Sequence, residues 1–244
     1  GRRRGLKGAP GVFIERSIMG GPVVPELRAE VRSRWTDRHI YFLFIGPYRS
    51  LNLKPSPDTA KETYRLWEWD CFEVYAGADP ESPHRYREFQ MSPQGEFLDL
   101  DIDSTAERPG HGNERLWDSG MKLKARIDEK ARIWYGEMRI PLASIDRREP
   151  KEGNEIRINL FRQDGRAPNR DFLAWRMTGV WNPHHPDKFG TLRLAGAPGR
   201  WAGSGRCMPG TRSQARNAAS STRPRPPSTT WSATSPMPSG GMCR

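Results

Sequence analysis

Cysteine is scarce, with three thiols in 244 residues. Cys71 stands alone in the body of the chain, and Cys207 and Cys243 lie close to its end. No pair within the body can therefore supply a disulfide framework. No CxxC or HExxH spacing offers the three or four converging ligands that zinc needs. Long apolar runs are missing as well: nothing approaches the roughly eighteen residues of a membrane helix, and the basic start is not followed by the apolar segment of a signal peptide. The expectation is a chain that does not insert into a membrane. There is no glycine-rich phosphate loop, no alternation of strands with helices and no internal repeat. Acidic residues are absent from both ends. Arg2, Arg3, Arg4 and Lys7 open the chain, and seven arginines follow Gly199, in each case without an Asp or Glu. These ends account for the whole formal charge of +11. The body between them is formally neutral and carries no basic excess to attract nucleic acid.

With 35% hydrophobic and 10% aromatic residues, the chain can build one sizeable core. Residues 12–196 read as a single β-domain. Residues 1–11 read as a basic segment that, lacking an initial methionine, is incomplete. Residues 197–244 are made largely of Gly, Ser, Pro, Thr, Ala and Arg, and they read as a low-complexity disordered tail.

Short runs rich in β-branched and aromatic residues recur between Gly, Pro, Asn and Asp, as in a sandwich or barrel. They predict strands at 27–35, 39–46, 71–76, 86–92, 96–103, 121–127, 133–140, 155–162, 172–176 and 190–194. Met121, Leu123, Ala125 and Ile127 alternate with Lys122, Lys124 and Arg126, the pattern of a sheet with one wet face. The turn at 128–130 joins this run to the next as a hairpin. His39 to Ile45 is apolar on both faces, which suits the middle of a sheet. A proline-led turn near 141–145 is the one helical feature expected. The fold class is all-β, a two-sheet antiparallel sandwich.

The densest aromatic cluster is Leu66-Trp67-Glu68-Trp69-Asp70, ahead of the strand that begins at Cys71. A sugar presents a flat C–H face ringed by hydroxyls, and an indole is a large rigid plane on which to stack it. Trp67 and Trp69 share a parity in an extended chain; filling the core is the competing role. Trp181 lies in a stretch from 177 to 186 that reads as a loop, where binding residues tend to sit.

Four stretches resemble the family 9 carbohydrate-binding modules and the related DOMON-like sandwiches: LWEWDCFEVYAG (66–77), YREFQMSPQGEFLDLDID (86–103), WYGEMRIPLASI (134–145) and PDKFGTLRL (186–194). The resemblance implies a non-catalytic module that holds a sugar between two tryptophans, in support of polysaccharide breakdown. Its ligand would be an oligo- or polysaccharide of the xylan or cellulose class. Carried over by position, Trp67 is the first clamp residue, Glu73 an acidic contact, and Gln90 and Ser92 polar contacts. The second clamp position falls on Pro183 without a gap, and on Trp181 if the loop is drawn two residues differently. Family habit also implies an extracellular or periplasmic location and structural calcium (Ca2+). Asp99, Asp101 and Asp103 share one strand face and could offer oxygens to such a cation; a solvated strand face is the plainer reading. His184 and His185 are assigned to loop surface.

Two other functions remain open. A glycoside hydrolase needs two suitably spaced carboxylates, for which Glu73 with Glu88, or Glu96 with Asp118, are candidates. A DOMON-like haem or redox domain would call on His111, Met91 or Met177 as ligands.

Overall fold

The computed structural model describes residues 9–105, 115–196 and 230–234. In chain order the strands are β1 (Gly11–Ile14), β2 (Arg16–Ser17), β3 (Ala29–Trp35), β4 (His39–Pro47), β5 (Cys71–Gly77), β6 (Arg85–Met91) and β7 (Phe97–Asp103), followed by β8 (Arg115–Leu116), β9 (Lys122–Asp128), β10 (Ile133–Pro141), β11 (Glu155–Asp164), β12 (Asp171–Ala174), β13 (Gly190–Ala195) and β14 (Thr230–Thr234). Short 310 turns at Pro25–Leu27, Leu66–Glu68, Leu142–Ser144 and Pro186–Lys188 are the helical elements among the described residues.

Two antiparallel sheets form a β-sandwich. The first runs β8-β7-β6-β5-β11, with β13 along the early half of β11 and β12 along its late half. The second runs β1-β3-β4-β10-β9. β14 lies parallel to β13 and touches β3 at Arg34, linking the sheets along one edge. Its sequence, Thr-Trp-Ser-Ala-Thr, carries β-favouring residues. The rest of the tail, like residues 1–8, lies outside the described residues.

The expected strands all form. The both-faces-apolar β4 runs between β3 and β10, and the alternating β9 is an edge strand hairpinned to β10. β1, β2, β8 and β14 were not expected; each is short, at four residues or fewer except β14.

The core lies between the sheets. Ile40, Phe42 and Phe44 of β4 and Trp134, Met138 and Ile140 of β10 meet Phe72, Val74, Phe89, Ile158 and Leu160 of the first sheet. Phe44, Phe72 and Trp134 stack in sequence, with ring centroids 4.6 and 4.2 Å apart. Two glycines make room for these large side chains. Gly136 faces Phe44 and Gly46 faces Trp134 across the β4–β10 pair. A Cβ on Gly46 would lie 2.7 Å from Phe72 Cζ.

A buried ion pair closes one end of this core. Arg162 and Asp164 lie 2.5 Å apart, and the guanidinium also donates to the carbonyls of Leu27 at 2.8 Å and Pro47 at 2.6 Å. A fully buried charge persists only with such partners.

Candidate functional site

The first sheet has a second buried face, turned away from the core. Because side chains alternate along a strand, Cys71, Glu73 and Tyr75 of β5 point to it, as do Tyr86, Glu88 and Gln90 of β6 and Asn159, Phe161 and Gln163 of β11. The register sets Glu73 directly opposite Gln90 and Tyr75 opposite Glu88. On the other flank Phe161 lies opposite Glu73 and Asn159 opposite Tyr75. Ile18, Leu66, Tyr75, Tyr86, Leu100 and Phe161 belong to the apolar cluster on this face, and Trp67, Phe172 and Phe189 pack against it.

Glu73 is buried among these groups. Its Oε1 accepts from Cys71 Sγ and from Gln163 Nε2, both at 3.5 Å, while its Oε2 has no hydrogen-bond partner. Burial pushes the carboxyl up to about 7, against the opposing pull of Cys71, Gln163, Arg170 and the Tyr75 hydroxyl. Gln90 donates to Glu88 Oε1, and its own Oε1 also lacks a partner. Two oxygens on directly opposed residues are thus short of donors, an arrangement that costs stability unless something supplies hydrogen bonds.

The aromatic platform is built by a turn. Arg65 adopts a left-handed conformation with φ of 61°, and the 310 turn Leu66–Glu68 follows. The parity argument from an extended chain therefore does not apply to Trp67 and Trp69. Trp67 is half-buried and meets Tyr64 edge-on at 5.6 Å. Arg170 holds the turn from outside: it donates to the carbonyls of Trp67, Glu68 at 2.6 Å and Trp69 at 3.3 Å. The same guanidinium reaches Gln163 Oε1 at 3.4 Å, so one hydrogen-bonded chain joins the Trp67 turn to Glu73. Asp70 fixes the end of the turn by accepting from the backbone of Asn52 at 2.9 Å and Gly165 at 2.7 Å. Burial raises its carboxyl to about 6.

Ser92 lies past β6, and its hydroxyl is engaged in the turn to β7. It donates to Glu96 Oε2 at 2.9 Å and accepts from the backbone of Gln94 and Glu96. Trp181 is 66% exposed on the loop between β12 and β13. That loop is tied to the β2 end by Ile18, whose carbonyl accepts from Thr178 and Gly179, each at 3.0 Å. Met19, Met177 and Val180 are likewise exposed on these two loops.

Asp99, Asp101 and Asp103 do share a face, which is buried at Asp99 and partly exposed at Asp101 and Asp103. Asp99 is buried and takes the Ser119 hydroxyl at 2.5 Å. Asp101 pairs with Arg87, and Asp103 pairs with Arg85 at 3.4 Å and Thr105 at 2.6 Å. Asp101 and Asp103 are each paired with an arginine of β6 while Asp99 keeps one oxygen without a partner, so the three do not fit a single shared calcium ion. No group of three or more metal-ligating side chains occurs among the described residues. Glu73 and Glu88 are neighbours on one sheet face rather than a pair opposed across a cleft. Met91 is buried in the core, Met177 is 43% exposed, and His111 lies outside the described residues. No described helix is long and apolar enough to cross a membrane.

Tyr64, Tyr75, Tyr86, His184, Gln163 and Arg170 complete this surface, and none of them stands out in the sequence as a site residue. Period-two alternation in β5 and β6 was the available signal for the tyrosines. Nothing local pointed to Gln163 or Arg170.

The β-sandwich architecture is similar to that of several solved structures. A protein of Bacteroides uniformis assigned to carbohydrate binding is similar over 76% of this chain and 86% of its own, with a TM-score of 0.59 and 19% identity. A family 9 carbohydrate-binding module of Caldicellulosiruptor kristjanssonii, in complex with glucose, matches over 83% of this chain and 93% of its own, with a TM-score of 0.58 and 12% identity. The module from that organism in complex with cellotriose gives 78%, 85%, 0.57 and 12% for the same measures. At these identities the likeness is one of fold. No family model and no curated protein matches the sequence.

Proposed function

We propose that this chain is a non-catalytic sugar-binding module whose site is the buried outer face of the first sheet. The observation that carries the reading is the Glu73–Gln90 pair, two opposed side chains each with an oxygen that lacks a donor, beside the half-buried indole of Trp67. Sugar hydroxyls are donors suited to those oxygens, and a pyranose C–H face suits the indole. Trp181, exposed on the β12–β13 loop, supplies a second aromatic plane. Xylan or cellulose chains and their oligomers are the ligand class, met outside the cell in company with a glycosidase that does the cutting. Fold neighbours that hold glucose and cellotriose support the reading.

Calorimetric titration of the full chain with cellobiose and xylobiose, beside an assay on chromogenic glycosides, tests it. Saturable heat with no turnover is the expected result. Release of the chromophore would replace binding with hydrolysis.

A further inference from the structure

His184 does not lie on the loop surface. It is half-buried, with its ring centroid 5.5 Å from that of Tyr75 and 6.2 Å from that of Tyr86. Its Nδ1 is 2.7 Å from the Tyr86 hydroxyl. Burial, with Glu88 adding to it, pushes the Tyr86 phenol well above its ordinary value, so the hydroxyl keeps its proton. The direction of this bond follows the imidazole tautomer. Both tyrosines are themselves fixed: Phe161 meets Tyr75 edge-on at 4.9 Å, and Phe189 meets Tyr86 edge-on at 5.1 Å. The plane of His184 is therefore set before any ligand arrives, which lowers the cost of binding one.

The strand register places this ring relative to the polar pair. On the outer face Tyr75 follows Glu73 by two residues, about 7 Å along the strand, and Glu88 lies across from Tyr75. Trp67 belongs to the turn that leads into the opposite end of β5. Glu73 and Gln90 thus lie between the Trp67 end and the His184 end of the face.

Resting on the sugar-binding reading above, we propose that His184 is the second wall of the site, opposite Trp67 across Glu73 and Gln90, and that one neutral pyranose unit sits between indole and imidazole. Tyr86 is the positioning residue. Above pH 7, where Glu73 is ionised, its carboxylate makes the site repel an anionic uronic unit. Trp181, outside this enclosure, meets the next unit of a longer chain.

The test is calorimetric titration of the full chain with glucose, glucuronic acid and cellotriose. The unmodified protein is compared with His184→Ala, His184→Trp, Tyr86→Phe and Trp181→Ala, and each melting temperature is read separately. His184→Ala is expected to weaken glucose and cellotriose by the same factor, about tenfold. His184→Trp keeps glucose binding, Tyr86→Phe weakens both sugars, and Trp181→Ala weakens cellotriose alone. At pH 8 glucuronic acid binds more weakly than glucose. Glucose binding unchanged in His184→Ala, or in Tyr86→Phe should the alanine variant not fold, overturns the inference and leaves the sugar-binding reading standing. An unmodified chain that binds none of the sugars overturns both.

Discussion

Glu73 and Gln90 face each other across the β5–β6 pair, each buried and each with one oxygen that no neighbour satisfies. Side chains so placed weaken the fold they sit in unless water or a ligand supplies the missing donors. The cost has a sign in pH. The folded chain holds the Glu73 proton to about 7, whereas an unfolded glutamate releases it near 4.5. Between those values the folded state binds more protons, so this contribution to stability falls as pH rises.

Glu73→Gln is therefore expected to stabilise the sugar-free protein by up to about 3 kcal/mol above pH 7 and to leave it unchanged below pH 4. Urea denaturation at pH 4 and pH 8 reads this directly. A variant less stable than the unmodified protein at pH 8 would mean that the buried carboxylate is better satisfied than its contacts indicate.

Sugar affinity is expected to run the other way. An ionised carboxylate is the stronger acceptor, so the affinity for cellobiose rises between pH 5 and pH 8 as Glu73 ionises, and Glu73→Gln flattens that profile. Titrations at four or five pH values separate the two behaviours.

Arg170 holds three consecutive carbonyls of the Trp67 turn and also reaches Gln163. Arg170→Ala releases that turn, and faster amide hydrogen exchange across residues 66–70 is the expected signature. Binding weakens with it, while the core strands β4 and β10 keep their protection. Unchanged exchange in the turn would show that Asp70 alone suffices to hold it.

Arg162→Ala leaves Asp164 buried without its counterion and the carbonyls of Leu27 and Pro47 without a donor. A loss of about 3–5 kcal/mol is expected from denaturation. A loss below about 1 kcal/mol would show that solvent reaches the pair. Gly46→Ala, which drives a methyl group against the Phe72 ring, is expected to cost about 1–3 kcal/mol.

Much of the fold was legible because strand faces repeat every two residues. The alternation in β9, the doubly apolar β4 and the hairpin into β10 follow from that period, and hydrophobic burial enforces it. The site was less legible. The orientation of Trp67 depends on a left-handed Arg65 and a 310 turn, which interrupt any period. Asp99 looked solvated because nothing in its own segment shows Ser119 closing over it, just as nothing there shows Arg85 and Arg87 across from Asp103 and Asp101. His184 looked like loop surface because its partners, Tyr75 and Tyr86, lie about a hundred residues earlier in the chain. Glu73 and Gln90 entered through resemblance; their mutual placement came from the pairing of β5 with β6.

The central claim, that the outer face of the first sheet holds a sugar against Trp67, is tested most directly by tryptophan fluorescence. The full chain is titrated with cellobiose beside Trp67→Ala and Gln90→Leu, with circular dichroism confirming that both variants fold. Saturable quenching in the unmodified protein, lost in Trp67→Ala and weakened about tenfold or more in Gln90→Leu, is the predicted result. Quenching of equal strength and midpoint in all three proteins would place the sugar elsewhere and contradict the account.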